Sequence, residues 1–194
     1  MNKTSITQLS KAFNGNPVII PLLGYLGGNK DYQRAKAPIE RSWTLSDYKG
    51  LNEEQVEEHI RRGGWIGLRI PSGYILVDLD NPDIGEWLRK LINKLDLKAD
   101  CIKTPNGWQF IFRDTGQVKN QQVKMLTKGM LTVDYRLAGK GYTVLPTTNT
   151  EGREWINLSL DGISPLPTWL EPLRQAKEED TIQIPIRVGE RNDI

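Results

Sequence analysis

The chain has 194 residues, 38% of them hydrophobic, which is enough for the core of one domain or of two small ones. Its 26 basic and 24 acidic residues nearly balance, so any basic surface must be local. One Cys and one His exclude a disulfide framework and a Cys/His zinc site. No apolar run approaches the roughly 18 residues needed to cross a bilayer, and the start lacks a signal-peptide core. We therefore expect a soluble, cytoplasmic protein in which any metal chemistry uses carboxylates.

The first 64 residues predict two helices, one strand and a long loop. An amphipathic pattern predicts a helix over 4–14, and the apolar run 18–23 predicts a strand in which Pro21 implies a sheet edge or an irregularity. Residues 24–43 have little periodicity and several cations, which indicates an ordered loop. Asn52 and Gln55 have the spacing of a capping box and predict a helix over 52–61, with His59 at its surface.

The middle of the chain predicts two hairpins around one helix. Segments 65–70 and 74–80 are apolar and joined by Pro-Ser-Gly, and 101–104 and 108–112 flank Pro-Asn-Gly. Asn81 as N-cap and Pro82 at the first helical position begin a helix whose apolar stripe includes Trp87, which we expect in the core. Cys101 is expected to be buried rather than reactive.

The last third predicts one more pair of strands and a loop-like end. Residues 114–128 are polar and predict an exposed loop, 130–135 and 142–145 predict a third hairpin, and the chain past 146 lacks a regular pattern. Hairpins outnumber helices, so the sequence predicts an α+β fold with an antiparallel or mixed sheet and flanking helices.

Two carboxylates stand out in the segment YILVDLDNP. The strand period of two places Asp78 and Asp80 on one face with Cα atoms roughly 6.5 Å apart, from which both could bind one divalent cation or bridge two. The alternative is that Asp78 only ends the strand while Asp80 or Asn81 caps the helix.

A third carboxylate, Asp134, lies within the apolar strand LTVDYR, where Asp is disfavoured. One explanation is an ion pair with Arg136 or with another nearby cation. The other is that two strands bearing Asp form a three-carboxylate site for Mg²⁺ or Mn²⁺, because hard cations prefer oxygen ligands.

The ordered segments VDLDNP, TPNGWQFIF and VDYRLAGKGYTVLPTT resemble the three motifs of the archaeo-eukaryotic primase superfamily. The likeness is to its prim-pol branch, which occurs in plasmid, phage and mobile-element replication proteins. KAP at 36–38, followed by Trp43, and GLR at 67–69 are similar to further stretches of that branch. The resemblance spans about 12–148, and the order of the motifs is more specific than any one of them.

This resemblance implies a primase-polymerase fold with an RRM-like catalytic core. It implies a prim-pol catalytic domain over 1–170 and, over 171–194, a linker and the start of a C-terminal helical region that is truncated here. The segment 186–193 is similar to one that opens such a region in longer members, although it could also be an unstructured tail. The implied setting is the cytoplasm, with a bacterial, archaeal, phage or plasmid gene. The implied partner is a helicase on the same polypeptide or in trans.

The implied activity is that of a DNA primase, a DNA polymerase or both. Asp78, Asp80 and Asp134 would hold two Mg²⁺ or Mn²⁺ ions for template-dependent nucleotidyl transfer. The substrates would be a single-stranded DNA template or primer and an NTP or dNTP. The implied nucleotide-binding residues are Lys36, Arg69, Gln109, Arg136 and Lys140, and each of the four cations among them could instead be a solvated surface charge.

Two other functions stay open, one of them because of a departure from the family pattern. Gln109 occupies the second motif's His position, and Gln can donate a hydrogen bond but carries no charge. This allows a weak or inactive module that binds single-stranded DNA or a replication origin. ILVDLDN also resembles the nucleophile strand of haloacid-dehalogenase-like phosphatases, in which Asp78 would be the nucleophile and Asp80 the acid/base, but that family has an alternating parallel fold.

Overall fold

The computed structural model describes residues 6–13, 15, 17–158 and 162–173. The α-helices are α1 (Ile6–Ala12), α2 (Tyr32–Ala35), α3 (Glu53–Arg61) and α4 (Pro82–Lys94). The strands are β1 (Ile19–Leu22), β2 (Trp65–Arg69), β3 (Tyr74–Leu79), β4 (Asp100–Thr104), β5 (Gly107–Arg113), β6 (Gln122–Leu126), β7 (Thr132–Leu137), β8 (Tyr142–Val144) and β9 (Glu154–Asn157). Short 3₁₀ helices span Leu26–Gly28, Arg41–Thr44 and Thr168–Leu170.

The strands form two sheets. One has the order β1-β2-β8 and the other β6-β7-β3-β5-β4-β9, and every ladder between these strands is antiparallel. The α+β prediction is therefore confirmed. The antiparallel ladders are not the alternating parallel arrangement that a haloacid-dehalogenase-like phosphatase requires.

Two of the three predicted hairpins are wrong. The chain does turn after Pro71, but β2 pairs with β1 and β8, whereas β3 pairs with β5 and β7. Likewise β7 and β8 belong to different sheets. The chain crosses between the sheets after β2 and after β7. These two crossing segments lie side by side, because the Ile70 N–H donates to the Gly141 carbonyl and the Ile70 carbonyl accepts from the Gly139 N–H. Turn chemistry sets the reversal of the chain but not which strands then pair.

Predictions that rested on local contacts are confirmed. Asn52 and Gln55 form both hydrogen bonds of the capping box at 2.9 Å, and the Asn81 side chain accepts from the Ile84 N–H at the start of α4. β4 and β5 form the predicted hairpin. Pro21 lies in β1, an edge strand of its sheet, which is one of the two predicted alternatives.

Three weakly patterned regions, and one residue of α4, were predicted less well. Residues 24–43 include α2 and two 3₁₀ helices, 114–128 include β6, and β9 follows the turn near residue 150. Trp87 is 52% exposed, contrary to the expected core position. The buried stripe of α4 is narrower than its apolar pattern and consists of Gly85, Leu88 and Ile92.

The larger sheet buries both of its faces, and this decides where Asp78 lies. Val77 and Leu79 pack with Leu88 of α4 in one core, whereas Leu76 packs with Leu9 of α1 in a second core. The predicted alternation along β3 is thus confirmed. Asp78 shares the face of Leu76, on the side that carries α1 and the smaller sheet.

Among the described residues, no helix is long and apolar enough to cross a membrane. The first residues of the predicted 4–14 helix and the C-terminal segments at 177–180 and 186–193 lie outside the described residues. The division into domains at residue 170 stays a prediction.

Candidate active site

Asp78 and Asp134 lie directly opposite each other on the neighbouring strands β3 and β7. Their side chains are only 15% and 21% exposed. Like charges in opposed positions of a ladder repel each other, so this pair requires compensation by positive charge or by protonation. Asp80 follows the end of β3 and is exposed. The structure therefore brings two of the three predicted carboxylates face to face.

The protein compensates this charge only in part. Nη2 of Arg136 lies 3.8 Å from Oδ2 of Asp78 and 3.7 Å from Oδ2 of Asp134, so a single guanidinium partly neutralises two carboxylates. The pKa of Asp78 is raised above its ordinary value, first because the carboxyl is buried and further because Asp80 and Asp134 are negative. The Gln109 hydrogen bond and the Arg136 charge oppose that rise. The site thus retains an excess of negative charge that suits a divalent cation.

Gln109 links Asp78 to the smaller sheet. It lies opposite Asp78 on β5, and its Nε2 donates to Oδ2 of Asp78 at 3.1 Å. Its Oε1 accepts from the Thr143 hydroxyl of β8 at 2.5 Å. Both ends of this buried amide are therefore engaged with protein groups, and its predicted role in nucleotide binding stays a prediction. Thr143 was not identified from the sequence, because its contact depends on the packing of two sheets.

Asp134 is held from the opposite side by a bulge in β6. The β6–β7 register shifts between Gln122 and Met125, and Lys124 in the bulge has φ +52°. This conformation aims the Lys124 N–H at Oδ1 of Asp134, with a distance of 2.7 Å. An uncharged donor thus orients each of the two facing carboxylates.

Two cations lie on the smaller-sheet side of the site. The pKa of Lys36 is lowered, first by burial and next by the charge of Arg153, while Asp78 and Asp80 oppose the shift. The Lys36 backbone is held because its carbonyl accepts from the Tyr142 hydroxyl at 2.8 Å. This contact joins the KAP segment to the GYTV segment of the third motif.

Arg153 was missed by the sequence analysis, because it lies in a region without a recognisable motif. It is 6% exposed and donates from Nη1 to the Val144 carbonyl at 3.2 Å, and its buried Nε has no partner among the residues that the structure describes. A buried guanidinium with an unsatisfied donor beside a second cation, Lys36, is a suitable place for an anion.

Two other predicted nucleotide-binding residues lie apart from the carboxylates. Arg69 donates from Nη1 to the carbonyls of Trp43 and Leu45 at 3.0 and 2.8 Å, which supports the chain after α2. Lys140 is exposed in the crossing between β7 and β8. The structure brings neither residue into an ion pair with Asp78 or Asp134 within the described part of the chain.

A pocket of about 390 Å³ opens beside the two facing carboxylates. It lies where β3 leads into α4 and where β6 and β7 run alongside. Its wall combines the carboxylates with apolar side chains and one cation, and its principal residues are Asp78, Asp80, Ile84, Lys124, Met130 and Asp134.

The donor chemistry of the site fits a hard divalent cation, but the full set of ligands is not assembled. In the described ranges, no three His, Cys, Asp or Glu side chains form a group that could hold a metal ion. Asp78 and Asp134 form a facing pair with incompletely neutralised charge, and Asp80 is exposed next to them. Oxygen ligands of this kind are the ones Mg²⁺ and Mn²⁺ prefer.

His59 and Cys101 lie outside this site. Nε2 of His59 is 2.9 Å from the carbonyl oxygens of Leu22 and Trp65, so this residue is a packed structural group rather than the predicted surface residue. Cys101 is buried as predicted, and burial raises the pKa of its thiol to about 12.

Comparison with known proteins agrees with this architecture. A relative from Bacillus subtilis (strain 168), described as "Uncharacterized protein YdiM", is 34% identical over 103 residues, which cover 53% of this chain and 79% of the relative. The family model described as "Bifunctional DNA primase/polymerase, N-terminal" matches residues 10–169. This match includes both sheets and all the carboxylates of the site. The chain therefore belongs to the Prim-Pol family of primase-polymerase domains.

Proposed function

We propose that this protein catalyses template-dependent nucleotidyl transfer on single-stranded DNA, as a DNA primase, a DNA polymerase or both. The observation that carries the proposal is the facing pair Asp78 and Asp134 in a Prim-Pol domain. Its neutralisation is incomplete, since Arg136 approaches both carboxylates only at 3.7–3.8 Å.

Asp78 and Asp134, with Asp80, are the residues that would hold two Mg²⁺ or Mn²⁺ ions. Such ions, when bound, activate a 3′-hydroxyl and stabilise the charge on the departing pyrophosphate. The amide of Gln109 and the Lys124 N–H orient the carboxylates from opposite sides. Because these donors are uncharged, the acidic pair retains its attraction for cations.

The cations of the smaller-sheet side would bind the triphosphate. The charges of Asp78 and Asp80 act to raise the pKa of Lys36, and Arg153 lies close enough to lower it. An anion between them would relieve that repulsion and satisfy the buried Nε of Arg153. Arg136, which already faces the carboxylates, is the third candidate. Arg69 and Lys140 stay predictions that the geometry supports less.

The test is primer extension on a single-stranded template with Mg²⁺ or Mn²⁺. We expect extension by the wild type and a loss of about 100-fold or more in Asp78→Asn and in Asp134→Asn. Asp83→Asn is the matched control, since Asp83 is an exposed carboxylate in the first turn of α4. Full activity in either of the first two variants would contradict the assignment of the site.

Gln109 stands where the family pattern has His, and this favours a second candidate function. That function is a catalytically weak or inactive module that binds single-stranded DNA or an origin. Both ends of the Gln109 amide contact Asp78 and Thr143, so it cannot supply the positive charge that a His could. The same assay separates the two functions. Retained binding of single-stranded DNA without extension in either metal would favour the module. In both cases, a helicase on the same polypeptide or in trans is a proposed partner.

A further inference from the structure

The basic groups around the carboxylates are unevenly distributed. Asp78 lies on β3, the strand between β7 and β5. On the β5 side, Gln109 contacts Thr143 of β8, and Arg153 is bonded to the next residue of β8. Lys36 is tied to β8 through Tyr142. The half-buried Lys36 and the buried Arg153 therefore lie on the β5 and β8 side of Asp78, whereas Arg136 of β7 lies beside both carboxylates and is not part of the pocket wall.

The pocket lies on the other side of Asp78, toward β7, β6 and α4. Its wall includes Ile84, Met130 and Leu131, and the single basic side chain among the described wall residues is Lys124. Met130 is 69% exposed and Ile84 is 41% exposed. A volume of about 390 Å³ is within the range of sites for small organic ligands. Because the wall also carries Asp78, Asp80 and Asp134, its negative charges outnumber its one cation, and it suits an uncharged nucleoside better than a triphosphate.

The backbone around this pocket is also unusual. Only three described non-glycine residues have positive φ, and two of them, Lys124 and Met130, line the pocket. Such conformations are strained for residues other than glycine and are concentrated at functional sites. At Lys124 the conformation also directs the N–H to Asp134.

The chemistry of the transfer requires its two substrates to approach from opposite sides. The attacking hydroxyl and the leaving pyrophosphate are in line across the reacting phosphorus. If the triphosphate occupies the cationic side, the hydroxyl must arrive from the other side. We infer that the pocket beside Ile84 and Met130 binds the 3′-terminal nucleotide of the primer strand. This inference rests on the proposed function and adds the direction in which the strand enters.

The test compares two exposed apolar residues that differ in position relative to the pocket. Met130→Asp places a negative charge in the wall, whereas Val123→Asp places one on β6 at a residue that is 66% exposed and outside the wall. In primer extension we expect Met130→Asp to raise the KM for primer–template about fivefold or more, with the KM for the nucleotide within twofold of wild type. Val123→Asp should change neither constant more than twofold. Lys36→Ala should show the converse pattern.

Two further measurements test the inference without relying on primer extension. Binding of a fluorescent primer–template with a recessed 3′ end, measured by anisotropy, should weaken in Met130→Asp even if the wild type does not extend primers. That result would separate a failed proposed function from a failed inference. A 4-thiothymidine at the primer's 3′ end should crosslink to the segment that contains Met130. An unchanged primer KM, a raised nucleotide KM, or a crosslink on the β8 side would overturn the inference.

Discussion

The contact between Thr143 and Gln109 offers a quantitative test of the site's architecture. The Thr143 hydroxyl is 2.5 Å from Oε1 of Gln109, and the residues are 1% and 7% exposed. Thr143→Val keeps the shape of the side chain but removes the donor, which leaves a buried amide oxygen unsatisfied. An unsatisfied buried acceptor costs about 1–3 kcal/mol, so the free energy of unfolding should fall by that amount.

Urea unfolding followed by Trp fluorescence is a suitable assay, since the chain has six Trp residues. For a domain of this size, thermal unfolding should also show a midpoint lowered by about 2–4 °C per kcal/mol. Thr132→Val is the control, because Thr132 is an exposed strand residue and should stay within about 0.5 kcal/mol of wild type. An equally small effect of Thr143→Val would refute the idea that this bond joins the two sheets at the site.

Three other variants or treatments have defined outcomes. Asp78→Asn should stabilise the metal-free protein at neutral pH, because burial raises the pKa of Asp78 and the ionised form therefore destabilises the fold. The raised pKa lies above the ordinary carboxyl value of about 4, and the gain in stability should shrink as the pH falls toward it. Urea unfolding at several pH values measures this gain, and a variant no more stable than wild type at neutral pH would contradict the prediction. Gly85→Ala should cost about 1–3 kcal/mol, since a Cβ would collide with the Trp108 ring; an unchanged unfolding midpoint would count against this packing. The thiol of Cys101, with its pKa raised to about 12, should react with a disulfide reagent only after unfolding, and rapid labelling of the native protein would contradict its burial.

The fold could be predicted from the sequence wherever neighbouring residues determine it. The caps at Asn52 and Asn81 act over three residues, and the β4–β5 hairpin depends on a turn of two residues. The predicted β2–β3 and β7–β8 hairpins were wrong because in both cases the chain crosses between sheets. Turn residues reveal a reversal but not the distant partner of each strand.

The candidate site shows the same division between local and distant information. The strand period placed Asp78 on the correct face, and Asp134 was recognised because it interrupts an apolar strand. Thr143 and Arg153 were missed because their importance depends on contacts across sheets and loops. Trp87 was misplaced because an apolar stripe on a helix can be wider than the surface it buries.

Binding of Mn²⁺ by the facing carboxylates is the central claim. It can be measured directly by titrating the protein with Mn²⁺ and following the free ion by electron paramagnetic resonance. We predict that wild type and Asp83→Asn bind Mn²⁺ alike, and that Asp78→Asn and Asp134→Asn each weaken binding by at least about tenfold. Unchanged binding in both of the latter variants would contradict the account.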